Sequence, residues 1–184
     1  LLSMDLEEKP DLQGDISNIR EDGQRLITLM DSVLSFSKSF EYKMESQDLN
    51  ILIGGLLIRM RNVFLKSNVQ QYFSPMNKPS MIKGDEKSLV RVFENIFVNA
   101  INAMEMQISG NVGVEINEII DEFGIELVEV KITDTGPGIP ENDLNKIFLP
   151  FYSTSRKGTG LGLAITKRTI DAHRGHISVE TVAG

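Results

Sequence analysis

Two segments, NVGVEINEII (111–120) and GIELVEVKIT (124–133), alternate apolar and polar residues on either side of the turn DEFG. Alternation with a period of two places every second side chain on one face, so the pair is predicted to form an antiparallel hairpin with one buried and one wet face. A hairpin of this kind must be covered by helices. The chain supplies them: helices are predicted from Leu49 to about Leu65, from a cap at Asp85 to about Gln107, and from about Gly160 to Ala172. Short strands are expected at Val69 to Phe73 and Met81 to Lys83, on either side of the turn-rich SPMNKPS, and HISVET is expected to begin another. Helices mixed with antiparallel strands give an α+β class, a two-layer α/β sandwich on a mixed, largely antiparallel sheet.

In front of this unit lies a different pattern. Ile16, Ile19, Gly23, Leu26, Met30, Val33, Ser37, Phe40 and Met44 fall at alternating spacings of three and four, with Asp15 as an expected N-cap. Ile27, Leu29, Leu34 and Phe36 widen the stripe beyond a two-stranded seam, which suits a multi-helix bundle. Periodicity restarts around SQDLN, so residues 46 to 48 are expected to be a hinge. The expected division is therefore a helical region, 1–47, and a globular domain, 48–184.

Composition limits the function classes. A net charge of −7 argues against nucleic acid as a partner, since a phosphate-tracking surface shows a basic excess. The absence of cysteine excludes disulfides and thiolate metal sites and is compatible with the cytosol. No apolar run approaches the roughly 20 residues that span a bilayer, and no direct membrane contact is expected. The chain opens on Leu1 and closes on VETVAG, and is expected to be a piece of a longer protein, cut at both ends.

Three clusters carry chemistry. In SRKGTGLGLAITKR, Gly158, Gly160 and Gly162 alternate directly before the last helix, where unpaired N–H groups and the helix dipole favour an anion, phosphate first. The spacing fits neither the dinucleotide fingerprint nor the Walker loop. In ENIFVNAINAM, on an otherwise apolar helix, Arg91, Asn95, Asn99 and Asn102 share one face. Buried asparagines call for a ligand or a hydrogen-bond network, and carboxamide oxygens suit a hard cation such as Mg²⁺. In DTGPGIP, Asp134 emerges where a strand ends, and Gly136 and Gly138 allow a turn against which a flat ring could lie. A carboxylate there can accept a hydrogen bond from an exocyclic amine.

Taken in order, NIFVNAINAM resembles the N box, DTGPGI the first glycine box, IFLPFYST the F box and GTGLGL the second glycine box of sensor histidine kinases in the GHKL ATPase superfamily. The heptad helix with SQDLN resembles the second helix of that family's dimerisation and phosphotransfer hairpin. The resemblance implies an ATP-dependent protein-histidine kinase module of a two-component system, with ATP and Mg²⁺ as cofactors and the GHKL ATP-binding fold preceded by a long bundle-forming helix.

Carried over by position, the resemblance implies that Asp134 binds the adenine amine and that Gly136, Gly138 and Ile139 line the base. Asn99 coordinates Mg²⁺ with Asn95 in support, Glu94 stands by as a base, and Asn102 faces the nucleotide. Gly158, Thr159, Gly160, Leu161, Gly162 and Leu163 form the phosphate loop, under a lid spanning about 141 to 157. Phe148 and Phe151 anchor that lid, and Arg156 or Lys157 neutralises phosphate.

Two departures stand out: Asn102 occupies a position where many relatives have Lys, and Ser155 stands where a T-T-K lid has its Lys. The phosphoacceptor histidine would precede Leu1, leaving His173 and His176 as structural or surface residues. The implied partners are the acceptor-histidine helix, a response-regulator receiver domain and a second copy of the chain through the N-terminal helix. The implied location is the cytoplasm, whether or not the parent is membrane-anchored. Two rivals remain at this point: a GHKL ATPase acting as a conformational machine, which places Glu where this chain has Asn95, and a non-catalytic, nucleotide-gated dimerisation module.

Overall fold

The computed structural model describes residues 41–154 and 158–181, together with residues 15, 16, 18–20, 23, 26, 27 and 30. The latter nine are all helical, so Asp15 is itself a helical residue rather than the non-helical cap, and residues 41–44 are already non-helical. The heptad positions Val33, Ser37 and Phe40 lie outside the described residues.

The domain begins with strand β1 (Glu45–Asp48), followed by α1 (Leu49–Lys66), β2 (Val69–Ser74), β3 (Met81–Gly84) and α2 (Glu86–Ala103). Then come β4 (Gly110–Ile120), β5 (Glu126–Asp134), the single-turn α3 (Glu141–Leu144) and α4 (Gly162–Ala172). Strands β2, β4 and β5 form one sheet in that order, with β2 parallel and β5 antiparallel to β4. The expected hairpin is β4–β5, in register from Ile120 opposite Glu126 to Val112 opposite Asp134. A separate two-stranded antiparallel ribbon pairs β1 with β3. The residues expected to be a hinge thus form most of β1, because Asp48 sits opposite Met81 and Ser46 opposite Lys83.

Helix α1 starts where Asp48 accepts the Asn50 N–H at 3.0 Å, and the same carboxylate oxygen takes the Ser80 N–H and hydroxyl, each at 3.1 Å. Asn68, in the left-handed region at φ 55°, ends it. Helix α2 starts as expected, with Asp85 accepting the Ser88 N–H at 2.8 Å. It stops at Ala103, short of the expected Gln107. The backbone there tightens into turns from Met104 to Ile101 and Gln107 to Met104, so that Gly110 N–H can reach Asn68 O at 3.1 Å and start β4.

One face of the three-stranded sheet carries the core. Val112, Val114 and Ile116 of β4 are buried beneath Ile53, Leu56 and Phe64 of α1 and Phe93 and Phe97 of α2. Phe64 and Phe97 meet edge to face with ring centroids 6.1 Å apart. Two corrections concern the C-terminal part. Helix α4 begins at Gly162 rather than Gly160, because Gly160 takes φ 68°. The expected strand at HISVET is absent, residues 176–181 being non-strand after Arg174 turns the chain at φ 59°.

Candidate functional site

Helices α2 and α4 pack in opposite directions, fixed at both ends. At one end Asp85 N–H donates to His173 Nε2 at 2.9 Å, while His173 Nδ1 lies 2.7 Å from Thr169 O. A ring accepting at Nε2 carries its proton at Nδ1, which then donates to that carbonyl. The Tyr42 ring meets the same imidazole edge to face, with ring centroids 5.2 Å apart. At the other end Asn95 Nδ2 donates to the buried Thr166 hydroxyl at 3.0 Å. A β-carbon at Gly162 would stand 2.3 Å from Asn95 Oδ1, so the asparagine lies directly on the start of α4.

The asparagine stripe therefore does not point into the core. Asn95 is half-buried between the helices, whereas Arg91, Glu94, Asn99 and Asn102 are exposed. Among the described residues, only Asn95 of the three asparagines has a side-chain hydrogen bond. Of the internal network offered by the sequence as one explanation for the stripe, only the Asn95 bond forms among the described residues, and the Asn99 and Asn102 carboxamides stay exposed.

Asp134 is the last residue of β5, and its Oδ1 accepts the Gly136 N–H at 2.8 Å. Gly136 has no room for a side chain: a β-carbon would lie 2.7 Å from that oxygen and 3.3 Å from Ala103 Cβ. Gly138 needs its freedom for another reason, a φ of 77°. Contact of Gly136 with Ala103 lays the turn against the end of α2, one helical turn from Asn99. Ile139 follows, half-buried, its N–H donating to Thr181 Oγ1 at 2.9 Å.

Past α3 the chain turns outward. Ile147 is buried and Phe148 half-buried, but Phe151 is 66% exposed and left-handed at φ 66°, so it does not anchor the lid by burial. Its backbone does make a contact: a β-carbon at Gly160 would lie 2.4 Å from Phe151 C. A hydrogen bond with Asp143 pushes the Tyr152 hydroxyl up, and Lys146 Nζ sits 5.9 Å from the same ring. Ser155, Arg156 and Lys157 lie outside the described residues.

Gly158 is exposed, Thr159 Oγ1 accepts the Leu161 N–H at 3.4 Å, and Leu161 is fully buried. No side chain caps α4, and Leu163 is half-buried in its first turn. A helix start without a side-chain cap is an anion-binding arrangement when glycine leads into it.

The sequence missed Thr166 as the partner of Asn95 and His173 as the partner of Asp85. A threonine one turn after Gly162 on the inner face of the helix is the only local sign of the first. A hollow of about 260 Å³ between α1 and β2, lined by Arg61, Phe64, Leu65 and Tyr72 among others, contains none of the motif residues.

A sandwich with an asparagine face, an Asp-Gly turn and a glycine-led helix start gathered around α2 defines a class, the nucleotide-binding α/β ATPases. Residues 84–184 match the family described as histidine kinase-, DNA gyrase B-, and HSP90-like ATPase, and the chain belongs to that family. Sensor histidine kinase ZraS of Salmonella typhimurium is 30% identical over 164 residues, 89% of this chain and 34% of that protein. Among solved structures, histidine kinase ThkA in complex with response regulator protein TrrA has a TM-score of 0.72 at 26% identity, covering 91% of this chain and 46% of that one. Full-length ShkA in complex with AMPPNP has a TM-score of 0.71 at 26% identity, over 89% of this chain and 34% of that one. The chain spans about a third of the length of the first curated relatives it matches.

Proposed function

We propose that this chain is the ATP-binding, phosphoryl-transferring part of a two-component sensor histidine kinase, passing the γ-phosphoryl group of ATP to a histidine other than its own two. The observation that carries the reading is the junction of Asn95 with Gly162 midway along α2 and of Ala103 with Gly136 at its end. It gathers the Asp134 carboxylate, carboxamides with no hydrogen bond among the described residues and a helix start without a side-chain cap around a single helix.

In this reading Asp134 accepts the adenine amine through its second oxygen, with Gly136, Gly138 and Ile139 against the base. Gly158, Gly160 and Gly162 offer backbone N–H groups to the phosphates, flanked by Thr159, Leu161 and Leu163. The carboxamides of Asn99 and Asn102 fit Mg²⁺, which takes few protein ligands and keeps waters beside substrate phosphates; it would neutralise charge on the transferring group. Asn99 is its ligand and Asn95 holds the helix pair in place. Glu94 is exposed next to the stripe and is assigned a supporting base role. Arg156 and Lys157 supply the basic charge that Asn102 lacks, and Phe148 holds the lid to the domain. Transfer then rests on positioning and fixed charge rather than on covalent catalysis.

Neither histidine suits the acceptor role. Both ring nitrogens of His173 are engaged, and His176 sits in the coil after α4. The relative solved with a response regulator supports a receiver domain as the downstream partner. No helix among the described residues is long and apolar enough to cross a membrane, and we assign the domain to the cytoplasm, where ATP is available. The N-terminal region that carries the helix is assigned to dimerisation and the domain from β1 onward to catalysis.

The test is γ-labelled ATP with Mg²⁺ and a separate helical hairpin that carries an acceptor histidine beside an acidic residue. Acid-labile phosphate should appear on the hairpin and not on this chain. Label on His173 or His176, or none on the hairpin while ATP still binds, would refute the assignment. Asp134→Asn and Asn99→Ala should each weaken Mg-ATP binding about tenfold, the cost of one unmade hydrogen bond to a charged or metal-bound group.

A further inference from the structure

The turn that carries Asp134 is held by a residue to which none of these roles refers. Thr135 N–H donates to Asn111 O at 3.2 Å, and its hydroxyl oxygen accepts the Asn111 N–H at 3.0 Å. The same hydroxyl lies 3.5 Å from Met104 Sδ, and the Thr135 carbonyl accepts from Gln107 Nε2 at 3.1 Å. Every polar atom of Thr135 is thus bonded, to β4 on one side and to the loop after α2 on the other. Beside it, Asp134 Oδ1 is committed to Gly136 N–H at 2.8 Å.

One consequence is geometric. With Oδ1 tied into the turn and the next residue clamped on both sides, the plane of the Asp134 carboxylate is held, and Oδ2 makes no hydrogen bond among the described residues. An ionised carboxylate is an acceptor only, so it attracts a 6-amino group and repels a 6-oxo group, and the discrimination depends on the angle at which its oxygen is held. We propose that Thr135 is a positioning residue for base selection: it orients Asp134 so that the site prefers purines bearing a 6-amino group. The inference rests on the assignment of Asp134 to adenine made above and deepens it. Gln107, from a loop that otherwise exposes Met106 and Ile108, is the second brace.

Thr135→Val removes the hydroxyl and keeps the branched shape, while Thr135→Ser keeps the hydroxyl. Calorimetry with ATP and with the triphosphate of purine riboside, which lacks the 6-amino group, separates positioning from simple support. Thr135→Val should lose about tenfold in ATP affinity with little change for the purine analogue, and Thr135→Ser should stay within about twofold of the parent for both. Gln107→Ala, which removes an exposed side chain and leaves the β4–β5 ladder intact, should shift the ratio the same way by about threefold, and it serves if Thr135→Val fails to fold. Equal losses for the two nucleotides, or an unchanged ratio in Thr135→Val and Gln107→Ala while Asp134→Asn abolishes the preference, would overturn the inference and leave the site reading standing. An Asp134→Asn protein that keeps the full 6-amino preference would instead overturn the assignment of Asp134, and this inference with it.

Discussion

Asn95 and Gly162 meet where α2 crosses the start of α4: a β-carbon on the glycine would stand 2.3 Å from Asn95 Oδ1. The glycine at this position is therefore required by a neighbouring side chain, independently of any ligand. Gly162→Ala should push the carboxamide aside, spread the two helices and reduce Mg-ATP affinity about tenfold or more, read by calorimetry. Gly55→Ala is the matched control. Nothing lies within 4 Å of its added carbon, and replacing a helical glycine should stabilise by about 0.5–1 kcal/mol.

The partner of that carboxamide is Thr166, only 1% exposed. Thr166→Val keeps the shape but leaves Asn95 Nδ2 without its acceptor, at a cost of about 1–3 kcal/mol. A fall in denaturant midpoint with unchanged slope is expected, accompanied by weaker nucleotide binding. Unaltered stability would show that Asn95 finds another partner.

Asp85 ties three segments together: it caps α2 through Ser88, accepts the Lys43 N–H at 3.1 Å through its other oxygen, and donates its own N–H to His173. Burial pushes its carboxyl up, but hydrogen bonds from Ser88 and Lys43 outweigh this and hold it below its ordinary value. The sign follows: the stabilisation is fully present above the unfolded value of about 3.9 and is lost as pH falls through the lowered folded value. Asp85→Ala should cost about 0.5–2 kcal/mol at neutral pH, as a lost N-cap does. Melting curves of the parent should fall more steeply with acid than those of Asp85→Asn, which still caps but does not titrate.

In the N-terminal helix Ile16, Ile19, Leu26, Ile27 and Met30 are all exposed, Ile19 at 71% and Leu26 at 62%. Apolar surface of that extent favours burial at about 25 cal/mol per Å². Two arms should therefore pair in a symmetric dimer. Sedimentation at micromolar concentration should report a dimer that Leu26→Glu with Met30→Glu converts to monomer. A parent that is monomeric, with the double variant indistinguishable from it, would assign the arm to some other surface.

What the sequence by itself determined was local. The period-two alternation around DEFG dictated the β4–β5 hairpin, and Asp85 marked the start of α2 within its own first turn. The four-residue spacing of Asn95 and Asn99 put them on a shared helical side, and the alternating glycines announced a loop before α4. Each of these is a signal between residues a few positions apart.

Tertiary structure decided the rest. Nothing in ESQD distinguishes a strand from a hinge until MIKG lies alongside it, 36 residues on. The parallel pairing of β2 with β4 has no turn to announce it. Whether the asparagine face would be buried or open depended on where α4 packed, and the bond from Asn95 to Thr166 spans 71 residues. The single-turn unwinding after Ala103 was likewise imposed from a distance, by the contact of Gly110 with Asn68. Contacts of this range are set by which apolar faces can be buried together. They leave no periodic mark on either partner, so the residues of the candidate site were legible one cluster at a time and their meeting around α2 was not.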